Sequence, residues 1–132
     1  MNHASTPALL RSPALVCVVD DDESVREALP DLLGEFGFSA RAFASAEDFL
    51  ASDALSLADC LVLDIAMPGM TGPQLQTELK RRGAAIPIVF ITAHADDTLL
   101  PRLMEQGATA CLLKPFSDTA LFDGVSAALS SR

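Results

Sequence analysis

Four short apolar runs in this chain each end abruptly in a residue suited to phosphoryl or metal chemistry. Leu15-Val16-Cys17-Val18-Val19 runs into Asp20-Asp21-Asp22, and Leu61-Val62-Leu63 into Asp64. Ile88-Val89-Phe90-Ile91 ends at Thr92, and Cys111-Leu112-Leu113 at Lys114. Runs of this length without polar alternation are what strands look like when both faces of their sheet are covered. The second of these boundary residues is the sharpest. Asp64 is followed by Ile65-Ala66-Met67-Pro68-Gly69-Met70-Thr71-Gly72, so a buried strand delivers a carboxylate to a tight turn. An unpaired buried charge is too costly to serve a core, so Asp64 requires compensation.

Between the runs the period changes from strand-like to helical. Val25, Ala28, Leu29, Leu32, Leu33 and Phe36 recur at helical spacing and stop at Gly37. The stretch from Phe38 to Ala44 is short and less apolar, which predicts a strand at a sheet edge. Ser45 with Asp48 three residues on resembles a capping box for a helix carrying Ala46, Phe49 and Leu50. Pro73 suits the first position of a helix holding Leu75 and Leu79 and closed by Gly83. Leu99, Leu100, Leu103 and Met104 predict the fourth helix, stopped at Gly107. Ser117 caps the fifth, which gathers Leu121, Phe122, Val125, Ala128 and Leu129 on one face. Pro30 falls inside the first helix, where it removes a hydrogen bond and kinks the axis. Pro101 falls inside the fourth and delays its start to near Leu100 or Pro101, after a longer loop. The pattern is β-α repeated five times, an α/β fold with a parallel sheet.

With 132 residues, half of them hydrophobic, the chain is one domain with a real core. There is no Trp or Tyr, so that core is mostly aliphatic. Residues 1–13 read as a flexible N-terminal tail and 14–132 as the folded domain; His3 lies in the tail and is inert. The formal charge of −9 argues against nonspecific DNA binding through a basic surface. Cys17, Cys60 and Cys111 lack metal-ligand spacing and read as plain buried thiols in a reducing compartment, which fits the cytoplasm. No stretch is apolar over the ~18 residues that spanning a bilayer takes, so no membrane partner is expected.

Right-handed crossovers bring the carboxyl ends of all parallel strands to one edge, where ligands of open α/β sheets bind. Asp20, Asp21, Asp64, Thr92 and Lys114 converge there. Clustered carboxylates repel one another unless one protonates or a cation binds. Oxygen ligands without His or Cys point to Mg²⁺. Lys114 adds a mobile positive charge and Thr92 a hydroxyl donor, while the small Ala93 leaves room beside it. An Asp beside Mg²⁺ and Lys is a nucleophile suited to accept a phosphoryl group as an acyl phosphate.

At this point the chain resembles the receiver domain of two-component response regulators, over residues ~15 to ~130. The match rests on Val18-Val19-Asp20-Asp21-Asp22, the stretch from Leu63 to Gly72, Ile91-Thr92-Ala93-His94-Ala95 and Leu113-Lys114-Pro115-Phe116. The wording around His94-Ala95-Asp96 and Lys114-Pro115-Phe116 is most similar to receivers of the nitrogen-fixation type. The resemblance implies a flavodoxin-like five-stranded parallel sheet of order 2-1-3-4-5 with helices on both faces. It implies Asp64 as phosphoacceptor, and Asp21, Asp64 and the Ala66 carbonyl as direct Mg²⁺ ligands, with Asp20 helping through water. Thr92 follows the phosphoryl group and Lys114 pairs with it, and the Lys114–Pro115 bond is cis. The donor is a sensor histidine kinase or a phosphotransfer protein, and the output face is formed by the last two helices and the last strand. A phosphorylation-dependent homodimer is one outcome. Asp22 is read as a helix cap, and His94 as a solvent-facing loop residue without a catalytic role. Many receivers carry Tyr or Phe where this chain has Cys111, so the aromatic half of the usual switch is missing.

Three readings of function follow. One is a phosphorylation-activated signalling switch acting by protein contact, not an enzyme. The second is the receiver part of a DNA-binding transcription regulator whose output domain is absent, since the chain ends at Ser130-Ser131-Arg132, where such a linker would begin; this chain itself has no helix-turn-helix and does not bind nucleic acid directly. The third is a Mg²⁺-dependent phosphohydrolase with Asp20 and Asp22 as its acidic pair, which leaves Asp64 unexplained.

Overall fold

The computed structural model describes residues 13–131. The tail reading for residues 1–13, His3 included, falls outside the described residues except at Pro13. Five strands alternate with helices: β1 (Leu15–Val19), α1 (Glu23–Glu35), β2 (Ser39–Phe43), α2 (Ala46–Leu50), α3 (Ala54–Leu57), β3 (Cys60–Asp64), α4 (Gly72–Arg81), β4 (Ile88–Thr92), α5 (Leu99–Glu105), β5 (Ala110–Leu113) and α6 (Asp118–Ser130). All strand pairs are parallel, in the order β2-β1-β3-β4-β5. The less apolar β2 is an edge strand, as its composition predicts.

Side chains alternate across the pleat into two apolar layers. Cys17, Val19, Leu61, Leu63, Ile88 and Phe90 face one side, where Ala46, Phe49, Leu75, Leu79 and Leu103 of α2, α4 and α5 cover them. Val16, Val18, Cys60, Val62, Val89 and Ile91 face the other, beneath Leu29 and Leu33 of α1 and Leu121, Val125 and Ala128 of α6. Coverage on both faces is why the strands read as unbroken apolar runs. Among the described residues no helix is long and apolar enough to cross a membrane.

Caps set the helix starts. The Asp22 carboxylate accepts from Ser24 N at 2.9 Å, Ser45 Oγ from Asp48 N at 3.0 Å, and Ser117 Oγ from Ala120 N at 3.0 Å. At α4, Thr71 and Gln74 form a reciprocal capping box, with Pro73 in the first turn. Helix α1 runs on through Pro30 to Glu35.

Three expectations need correction. The five expected helices gain a sixth: α2 carries Ala46, Phe49 and Leu50 as expected, and a turn at 51–53 then leads into the additional short α3. Helix α5 begins at Leu99, a residue earlier than Pro101 suggested. Pro101 occupies the third helical position, where a backbone N–H has no intrahelical acceptor to lose, and the Asp96 carboxylate satisfies Thr98 N and Leu99 N at 2.9 and 2.8 Å. Third, Cys17 and Cys60 are buried but Cys111 is only half-buried, because β5 is the other sheet edge. None of the three forms a disulfide.

Candidate phosphoacceptor site

Strand register assembles the site. Val19 pairs with Leu63, so Asp20 and Asp64 emerge side by side from neighbouring strands. Asp64 pairs with Ile91 and Thr92 with Leu113, so Thr92 and Lys114 follow at the same sheet edge. A backbone hydrogen bond from Lys114 N to Thr92 O, 2.7 Å, ties the last two strand ends together. The Lys114–Pro115 bond beyond is cis, as expected.

Carboxylate oxygens of Asp20, Asp21 and Asp64 all lie within 4.8 Å of one another. Asp20 is wholly buried and Asp64 is 6% exposed, whereas Asp21 faces solvent. Lys114 Nζ donates to Asp20 Oδ2 at 2.9 Å and stands 3.7 Å from Asp64 Oδ1. The other Asp20 oxygen accepts from Asp22 N at 2.9 Å, and Arg26 Nη1 donates to the Asp20 carbonyl at 3.1 Å. Both Asp20 oxygens are therefore satisfied within the protein, which makes complete burial of this carboxylate tolerable.

Asp64 is less well compensated. Burial, then the negative charge of Asp20, push its carboxyl up to about 6; Lys114 pulls it back, and Asp21 adds to the rise. Burial alone would lower the Lys114 ammonium, but its hydrogen bond to Asp20 and the charges of Asp20 and Asp64 outweigh that and hold it above the usual range. The site thus carries excess negative charge centred on Asp64. That excess, with an all-oxygen donor set, fits a hard divalent cation of the Mg²⁺ kind.

Thr92 is buried, and its Oγ1 donates to His94 O and sits 3.2 Å from His94 N. The exposed His94 therefore acts on Thr92 through its backbone, with its side chain in solvent. Ala66 is exposed on the loop after β3, two residues beyond Asp64. Gly72, at the far end of that loop, sits against the Asp64 carbonyl and Ile65 Cα with no room for a Cβ. Asp22 caps α1 outside the acidic group, as the sequence implies. Sequence reasoning missed two contributors. Arg26 lies six residues from Asp20, with no local signal linking them. Glu47 reaches across 23 residues to accept from Met70 N at 3.0 Å.

A doubly covered parallel sheet with an acidic group, a lysine and a threonine at its carboxyl edge is the architecture of the receiver class. Residues 16–126 match the family described as response regulator receiver domain, and the chain belongs to that family. It is a receiver domain of two-component response regulators. It is 45% identical over 115 residues to nodulation protein W of Bradyrhizobium diazoefficiens, covering 87% of this chain and 51% of that protein. The transcriptional regulatory protein TdiR of Thauera aromatica is 41% identical over 115 residues, with the same coverage of both, 87% and 51%. The crystal structure of FixJ-N superimposes with a TM-score of 0.83 at 34% identity, covering 92% of this chain and 98% of that one. The chain spans about half the length of the curated relatives it matches.

Proposed function

We propose that Asp64 accepts a phosphoryl group from a phosphohistidine of a sensor histidine kinase or phosphotransfer protein, and that the resulting acyl phosphate switches the domain. One observation carries this reading: three carboxylates lie within 4.8 Å of one another while a single ammonium bridges Asp20 and Asp64. One Asp64 oxygen attacks phosphorus, the P–N bond to the donor imidazole breaks, and its electron pair leaves with the imidazole. Asp20, Asp21, Asp64 and the Ala66 carbonyl would hold Mg²⁺, which when bound supplies positive charge to the phosphoryl oxygens. Lys114 is free to shift from Asp64 toward a phosphoryl oxygen while keeping its bond to Asp20. Thr92 Oγ1 would exchange its His94 partner for the phosphoryl group, releasing the loop at 93–98.

The output leaves through the face of α5, β5 and α6. Exposed Met104 and Leu113 and half-buried Cys111 support that direction. A second copy of the domain is one partner for this face. A second reading, as the regulatory part of a transcription regulator, is favoured by the likeness to TdiR, of which this chain covers about half. In that reading other segments contact DNA.

The test is incubation with acetyl phosphate and Mg²⁺, read by intact mass. The expected result is a single +80 Da adduct that Asp64→Asn abolishes while leaving the circular dichroism spectrum unchanged. An adduct that survives in Asp64→Asn would move the acceptor elsewhere, Asp20 first.

A further inference from the structure

We propose that Glu47 is a positioning residue for the cation site, acting through the loop that carries Ala66. This rests on the metal reading above. The loop from Ile65 to Gly72 closes on itself at its base, where Gly72 N donates to Ile65 O at 3.0 Å. On its near side the Met67 side chain is buried in the core and anchors it. Its far side, Pro68 to Met70, is less firmly held: Pro68 and Gly69 are exposed, and Met70 is only half-buried against the same core. There Glu47 intervenes. Its Oε2 accepts from Met70 N at 3.0 Å, and a Cβ on Gly69 would come within 2.7 Å of that same oxygen. Gly69 also has φ +72°, a conformation that side chains disfavour. Glycine at 69 is thus what lets the loop turn and the carboxylate approach at the same point.

The Glu47 side chain is exposed, but its backbone position is set by its neighbours. It lies in the first turn of α2, with the Ser45 cap before it and buried Ala46 and Phe49 on either side. Phe49 packs edge-on against Phe43 of β2, with ring centroids 5.6 Å apart. A rigid helix start therefore pins the exposed half of the loop that presents the Ala66 carbonyl. A charge-assisted bond to a backbone N–H narrows the loop's conformations before any cation arrives, so less order remains to be imposed on binding.

The experiment compares wild type, Glu47→Ala and Glu47→Gln by Mg²⁺ titration followed by amide shifts. It adds hydrogen exchange of the Met70 amide in metal-free protein. Glutamine keeps an acceptor oxygen, alanine does not. The expected result is about three- to tenfold weaker Mg²⁺ binding in Glu47→Ala, near-normal binding in Glu47→Gln, and faster Met70 exchange in the alanine variant alone. Unchanged Mg²⁺ affinity in Glu47→Ala overturns the proposal. Equal weakening in both variants also overturns it, because the effect would then be charge rather than the tether. The exchange arm needs no metal. A Met70 amide as fast in wild type as in Glu47→Ala refutes the tether even where Mg²⁺ binds normally. A protected Met70 with no Mg²⁺ uptake by wild type refutes the metal reading, and with it the role assigned to Glu47, while leaving the tether intact.

Discussion

Asp64→Asn should stabilise the metal-free protein at neutral pH. The Asp64 carboxyl is pushed from 3.8 to about 6 by burial and by Asp20. At roughly 1.36 kcal/mol per pK unit, that shift corresponds to about 3 kcal/mol of destabilisation when the group is ionised. Water at the rim of the site and the partial loss of Lys114's second neighbour reduce it to about 2–3 kcal/mol. The sign follows from linkage. The folded state binds the Asp64 proton more tightly than the unfolded chain, so the cost is complete above about pH 6 and fades as pH falls toward the unfolded value near 4. Asparagine has no charge to bury and keeps the shape. With unfolding entropy near 2.1 cal/mol/K per residue, a chain of 132 residues gains about 7–11 °C in Tm. Thermal melts followed by circular dichroism suit the test, since the chain has no Trp or Tyr to report by fluorescence. Melts at pH 7.5 in EDTA should show the gain, and melts at pH 4 should show almost none. Millimolar Mg²⁺ should raise the wild type more than the variant, narrowing the gap. Equal melting temperatures at pH 7.5 in EDTA, or a gain just as large at pH 4, would refute the electrostatic account.

Gly72→Ala should be severely destabilising, near the upper end of the ~1–3 kcal/mol that overpacking costs, because the added Cβ meets the Asp64 carbonyl and Ile65 Cα; a variant that melts like wild type and still labels at Asp64 would contradict the close approach. Native protein should expose one thiol to an aromatic disulfide reagent, Cys111, and three in denaturant, because Cys17 and Cys60 have no exposed surface. That one reaction should be slow at pH 7, since burial holds the Cys111 thiol above its ordinary pKa and pushes Cys17 up to about 11. Two fast thiols in the native state would show that the sheet is looser than its packing implies.

Much of this molecule was legible residue by residue. Unbroken apolar runs predicted strands covered on both faces, and the β1, β3 and β4 side chains are buried almost without exception. Cap residues Asp22, Ser45 and Ser117 sit where side-chain oxygens meet the first free N–H groups. Where the pattern misled, a competing local effect was at work. Asp96 supplied the acceptors that let α5 start ahead of Pro101. The additional helix at Ala54–Leu57 went unread because four residues are too brief to carry a period.

The sequence by itself determined the order of the strands, the capped helix starts and which five residues reach the carboxyl edge, because each of these is written in a contiguous stretch. Periodicity, caps and strand-terminal polar residues act within one or two turns of chain. Tertiary structure alone decided how the charges divide. Asp20, not Asp64, takes the 2.9 Å bond from Lys114 and vanishes from solvent, leaving Asp64 as the under-compensated carboxylate. It also decided that Glu47 reaches Met70, that Arg26 reaches the Asp20 carbonyl, and that Cys111 stays half-covered. The reason is physical: a side chain's partner and its desolvation depend on distances between segments far apart in the chain. Those distances are set by strand register and helix packing, which no local pattern encodes.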